Sequence, residues 1–233
     1  KGLKNIELRP NCSSYDDTEL FALVENWRTT CGENLSVHLP EVRYENGKAY
    51  VDDKYIKCIE IANKLKADRL VQHVPIVSVK TVNEDKDCLE KICKLLAGYF
   101  NSIEHEVVIG IENMHMTAKD PPDDNRRFGY IPEECLLFMN KLSENCRHKV
   151  GINFDIGHAR NNAPYSQTYQ ISTWFAAVGK YVVGYHMHQV TYEDGIFENH
   201  MPITDIYGKL ISYGSFFKNW AMERINKAPV IFE

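Results

Sequence analysis

An α/β barrel of the (β/α)8 type is the fold this sequence predicts, and three observations predict it. Apolar, β-branched runs alternate with amphipathic stretches along the chain. Acidic or histidine residues stand at the C-terminal ends of consecutive runs: His38, His73, Glu112, Asp155, His186 and Glu233. These positions recur roughly 30 to 47 residues apart, close to the length of one strand–helix repeat with its loops. Strands alternating with helices imply a parallel sheet, and so many repeats favour a closed barrel over an open sheet. The C-terminal edge of such a sheet is where loops build an active site.

Each element has its own signal. NIEL (5–8) reads as a first strand, ahead of a helix over DDTELFALVENW that Asp16 or Asp17 caps and Gly32 ends. LSVHL (35–39) is the next strand. In KYIKCIEIANKLK the apolar positions Tyr55, Ile56, Ile59, Ile61, Ala62 and Leu65 fall mostly at three- and four-residue steps, which gives one buried helical face. RLVQHVPIVSV (69–79) reads as a strand, DKDCLEKICKLLAGYF (85–100) as a helix and EVVIGIE (106–112) as a strand. PEECLLFMNKLSE (132–144) is helical, with Pro132 in the first turn, where no backbone N–H is needed. KVGINFD, YVVGYHMHQV and APVIFE supply the last strands, seven in all.

The global numbers suit one domain over residues 1–233. Hydrophobic residues make up 44% of the chain, enough for a sizeable core. Lys+Arg of 27 against Asp+Glu of 32 gives a net charge of −5, which weighs against nucleic acid as a partner. Seven cysteines at irregular spacings form no CxxC and cannot all pair, so reduced thiols in a cytoplasmic protein are expected. No apolar run approaches a membrane span and no signal peptide is visible. Several polar groups converging at one barrel mouth are costly to bury unless something compensates them, and a metal ion does so.

These residues resemble the xylose-isomerase-like barrel superfamily, which holds sugar isomerases, sugar epimerases and DNA-repair enzymes of the endonuclease IV type. The resemblance rests on NIELRP, similar to that fold's second strand, and on the D-x-x-H spacing of Asp155 and His158. It rests also on His186 followed by an acidic-x-His pair, Glu198 and His200, and on the terminal Glu233. It implies a TIM (β/α)8 barrel whose first strand and last helix lie outside this sequence. It further implies a core metal on Glu112, Asp155, His186 and Glu233. Endonuclease-IV-like members add His38, His73, His158 and the acidic-x-His pair to hold three zinc ions; Glu198 here stands where Asp is usual. Two departures touch how substrate is held: TDIYGK replaces a Gly-x-Gly turn, and Gln189 replaces the usual Asp after the seventh-strand histidine.

Each outer candidate has a plainer reading. His38 and His73 can be satisfied core histidines, His158 a group behind the ligands, Glu198 a surface carboxylate and Arg9 a solvated charge. His188 shares strand parity with His186 and rivals it, while His105, His115 and His148 receive no role. Two reactions fit. In a metal-dependent sugar or sugar-phosphate isomerase or epimerase, Glu112 and Glu233 exchange protons as base and acid through an enediolate. In a multinuclear zinc phosphodiesterase acting on abasic DNA, metal ions activate water for attack on phosphorus. The acidic charge, and the absence of a run rich in Arg or Lys and aromatics, favour the sugar enzyme. A barrel that binds metal or sugar without turnover is the third reading. Ligand chemistry points to manganese or zinc first and magnesium or cobalt next; homo-oligomerisation is left open.

Overall fold

The seven β-branched runs pair in chain order. The computed structural model describes residues 2–9, 17–116, 120, 121, 123–162, 165–193, 196–205 and 210–233. From the N-terminal side the elements are β1 (Asn5–Leu8), α1 (Asp17–Thr30), β2 (Asn34–His38), β3 (Arg43–Glu45), β4 (Lys48–Tyr50), α2 (Asp53–Lys64) and β5 (Arg69–His73). Next come α3 (Val79–Glu84), α4 (Cys88–Phe100), β6 (Val108–Glu112), α5 (Pro132–Ser143), β7 (Lys149–Asp155), α6 (Ile156–Arg160) and α7 (Tyr165–Thr168). The last are α8 (Ile171–Val178), β8 (Val182–Met187), β9 (Gln189–Glu193), β10 (Ile196–Met201), α9 (Tyr213–Ala221) and β11 (Val230–Phe232).

Strands β1, β2, β5, β6, β7, β8 and β11 form one sheet in which every neighbouring pair is parallel. Its first and last strands approach each other, so the ring is nearly closed, and an Arg9–Glu233 ion pair bridges them at the mouth. Register matters here, because side chains alternate faces with a period of two. His73 lies opposite Glu112 and Asp155 opposite His186, which puts these side chains in one layer. Deeper in the barrel, buried Arg69 crosses from β5 to donate to the Val183 carbonyl on β8 at 2.8 Å. Gly184 makes room for it: a methyl there would overlap both the Arg69 guanidinium and the Asn153 side-chain amide.

Helices flank the sheet, with α4 against α5, α5 on β7 and α8 on α5. Trp174 of α8 stacks on Phe154 of β7, ring centroids 5.3 Å apart. The start of α5 follows its sequence signal, with Ile131 as N-cap and Pro132 in the first turn. Its Glu134 is buried and receives two Arg126 hydrogen bonds, at 3.0 and 2.5 Å, and the Gly129 and Tyr130 N–H groups.

Several local expectations differ from the structure. Helix α2 buries Tyr55, Cys58, Ile59, Ile61 and Ala62, whereas Ile56 is exposed, because the buried stripe turns through Cys58. The run RLVQHVPIVSV is a strand only to His73; Pro75 supplies no N–H for a ladder, and Ser78 caps α3 instead. YVVGYHMHQV ends its barrel strand at Met187 and turns into an antiparallel β9–β10 hairpin. A second hairpin, β3–β4, turns at Asn46-Gly47, both residues having positive φ. Asp16, Cys12 and part of TDIYGK lie outside the described residues. The six described cysteines are free, and no described helix is long and apolar enough to cross a membrane.

Candidate metal centre

Glu112 lies at the centre of the barrel mouth. Its carboxylate, fully buried at the end of β6, is 3.2 Å from His38 Nε2, 3.5 Å from His73 Nε2 and 3.3 Å from His186 Nδ1. The same His186 nitrogen is 3.3 Å from Glu233 Oε1, and Asp155 joins Glu112 and His186 in one cluster. These contacts lack hydrogen-bond geometry. Both oxygens of Glu112 and of Glu233, Asp155 Oδ2, His38 Nε2 and His186 Nδ1 are buried without a hydrogen-bond partner. Unpaired buried polar atoms are costly. Ligand atoms bound about 2.0–2.1 Å from one cation stand about 3.0–3.4 Å from each other, close to the spacing seen here. The donor set therefore fits a divalent cation.

Local structure explains why these side chains converge. Asn113 clips β6 to β7: its side chain receives Asp155 N–H at 2.9 Å and donates to the Asp155 carbonyl at 2.9 Å. Asp155 Oδ1 then accepts the His158 N–H at 2.7 Å as the N-cap of α6, so the D-x-x-H spacing carries His158 back over the mouth. His158 Nδ1 contacts the Asn113 carbonyl at 2.9 Å, and its ring forms an outer cluster with His188 and His200. His188 Nε2 lies 3.2 Å from Asp155 Oδ1 and His200 Nε2 3.1 Å from Glu233 Oε2, so the two clusters adjoin.

Glu198 departs from expectation. On a regular strand it shares a face with His200, but the hairpin register shifts between Glu198 and Met201, and His200 adopts a φ of 56°. The pair is split: His200 turns toward the mouth, and Glu198 is exposed beside Thr191. His188 takes the third place in the outer cluster. His115, which the sequence left without a role, packs against His158 with ring centroids 4.7 Å apart and the planes tilted by 39°, while His105 bonds the Ala67 carbonyl elsewhere and His148 lies beside Arg147. Gln189 donates to the Ile211 carbonyl at 3.0 Å and so braces a loop. Arg9 faces Glu233 across the barrel seam.

Two carboxylates behind the histidines were missed in the sequence. Glu7 Oε2 lies 3.1 Å from His186 Nε2, which turns the other nitrogen toward Glu112 and Glu233. Glu41 Oε1 lies 3.1 Å from His73 Nδ1, and its other oxygen accepts from Arg127 at 2.9 Å. Glu7 had a usable signal, an acid on an apolar strand at the same parity as Arg9. Glu41 had none, since it lies in a loop.

Charge follows this geometry. Burial would raise the Glu112 carboxyl, but His186 and His73 outweigh it and hold it well below its usual range. Burial would depress His73; Glu112 and Glu41 overcome that and lift it to about 9, and His186 is raised well above its usual value by Glu112 and Glu7. His200 is pushed down to about 4, by burial first and then by His188, so it is neutral near pH 7.

A nearly closed parallel barrel with carboxylates and imidazoles at the C-terminal strand ends defines the class as TIM-type barrels with a candidate metal site. Within that class the chain belongs to the xylose isomerase-like TIM barrel family, whose model matches residues 16–233. No curated protein matches it in sequence. Among solved structures, a D-tagatose 3-epimerase-like protein superposes with a TM-score of 0.60 at 17% identity, covering 100% of this chain and 83% of that one. Endonuclease IV from Thermus thermophilus gives 0.62 at 14%, covering 99% and 82%. A xylose isomerase-like TIM barrel protein from Mycobacterium smegmatis, in complex with magnesium, gives 0.56 at 16%, covering 100% and 77%. The family includes sugar epimerases and endonuclease IV.

Proposed function

We propose that this chain is a divalent-metal-dependent isomerase or epimerase of sugars. The observation that carries the reading is the pair Glu112 and Glu233: each lies 3.3 Å from His186 Nδ1, and the oxygens of each accept no hydrogen bond, Glu233 being ion-paired with Arg9. Glu112, Asp155, His186 and Glu233 would hold the cation, with zinc or manganese suiting this donor set. A bound cation supplies Lewis-acid polarisation of the substrate carbonyl. The protein's own part is proton transfer. One carboxylate removes the proton on the carbon beside the carbonyl, and the other, across the cation position, returns one through an enediolate.

Glu233→Gln tests this. The amide keeps an oxygen toward the cation but cannot accept the proton, so exchange falls by roughly 10²–10⁴-fold. The assay follows deuterium incorporation at carbon by NMR, with a panel of ketoses in deuterated water. Exchange unaffected by the substitution sinks the reading.

A second reading, a multinuclear zinc phosphodiesterase, draws on one observation: the His158–His188–His200 cluster next to the core. One ion per chain by metal analysis favours the isomerase. Three ions, with metal-dependent nicking of abasic DNA that low salt strengthens, favour the phosphodiesterase.

A further inference from the structure

Beside the candidate centre the barrel mouth opens into a cavity of about 390 Å³. His38 and His73 line its inner end, and Arg9, Arg43, Tyr50 and Lys54 are among its other walls. That volume falls within the range of small-molecule sites. The cavity is therefore continuous with the ligand cluster, since both histidines also touch Glu112.

The charges in this cavity are unevenly committed. Arg9 is spent on Glu233. Glu41 is taken up by His73 and Arg127, and Asp52 caps α2 by accepting the Tyr55 N–H at 3.0 Å. Among the described residues, the side chains of Arg43 and Lys54 make neither an ion pair nor a hydrogen bond. Regular structure holds their backbones. Arg43 sits in the β3–β4 hairpin, paired with Tyr50 and bridged by its backbone to Ile76, and Lys54 is in the first turn of α2. Two cations that line one small cavity without a partner, while the nearby carboxylates are engaged, suit an anion.

We propose that the substrate carries a phosphate group, held by Arg43 and Lys54 while its hydroxy-carbonyl end reaches the metal centre. The substrate class is thus a sugar phosphate and not a free sugar. This rests on the isomerase reading, which it deepens. A phosphodiester of DNA presents the same anion chemistry, and the experiment separates the two sources.

The test uses the metal-loaded full chain, wild type beside an Arg43→Ala/Lys54→Ala double variant and an Arg43→Lys variant. Both positions are exposed, and melting temperature with metal content verifies the fold. Inorganic phosphate is titrated calorimetrically, and pentulose and hexulose phosphates are compared with their unphosphorylated parents by deuterium exchange. Phosphate binding should weaken about 10-fold or more in the double variant, and KM for the phosphorylated sugar should rise similarly with kcat little changed. The wild-type preference for phosphorylated sugar collapses, while Arg43→Lys keeps most of it. Free sugars exchanged as well as their phosphates by wild type, or a double variant that behaves as wild type, overturns the proposal. If no sugar exchanges yet phosphate binding still needs the pair, the subsite stands and the isomerase reading fails. If abasic DNA is then nicked in a manner dependent on the pair, the anion is a DNA phosphate and the sugar-phosphate assignment is overturned.

Discussion

At the scale of single residues, two histidines of the centre are aimed by carboxylates on their far sides. Glu41 holds His73 through Nδ1, and Glu7 holds His186 through Nε2. Partners of this kind fix the tautomer and orientation of a metal-binding imidazole, and losing one typically costs 10–100-fold in metal affinity, about that order being expected here. Because His186 is among the proposed ligands, Glu7→Gln should weaken cation binding by roughly 10–100-fold with the fold retained, as read by competition against a coloured chelator. Unchanged affinity would show that His186 is held by packing alone. The strand-end acids and histidines were legible in the sequence because a two-residue period and a strand boundary suffice to place them. Glu198 was misplaced and His188 underweighted for one reason, a register shift in a hairpin that periodicity cannot foresee.

Among elements, the start of α5 carries a buried charge pair. Glu134 binds the Arg126 guanidinium and two backbone N–H groups, and Arg126 also stacks over the Tyr165 ring at 4.8 Å. Glu134→Ala leaves that guanidinium and both N–H groups uncompensated, which should destabilise the protein by about 3–5 kcal/mol in denaturant unfolding. A loss under about 1 kcal/mol would mean that water replaces the carboxylate. The seven barrel strands and the long helices α1, α2, α4 and α5 were readable because each repeats its period over enough residues. Helices α3, α6 and α7 were not, since four to six residues carry no resolvable period. The Asn46-Gly47 turn of β3–β4 was a legible hairpin signal that the alternating pattern around it obscured.

Across the whole molecule, protons and metal compete at the same cluster. His73 is raised from its usual 6.5 to about 9, so its pairing stabilises the metal-free protein fully below about pH 6.5, and this is lost as pH climbs through about 9. Glu41 is depressed from 4.5 to about 2, so its contribution is present above about pH 4.5 and is lost as pH falls toward 2. A protonated His73 places its charge 3.5 Å from Glu112, a proposed ligand, so cation affinity rises as that proton is lost across the window from 6.5 to 9, and binding releases protons. The gap in melting temperature between metal-loaded and chelator-treated protein should widen with pH there; at free metal roughly 1,000-fold above Kd the stabilisation is about 4 kcal/mol. A gap that narrows over that window contradicts the competition.

The Arg69 guanidinium beneath the ligand layer, and the absent side chain at Gly184 that admits it, bear on how a map of tolerated substitutions would read. Alanine at Gly184 drives a methyl into both Arg69 and Asn153, neither of them a ligand, yet both directly under the ligand layer in space. Activity would fall there if Arg69 and Asn153 shift to admit the methyl, although Gly184 has no group that could meet a substrate. Intolerance at this position reports the bore of the barrel, a property of volume, and chemistry enters such a map only where a same-sized replacement is also rejected.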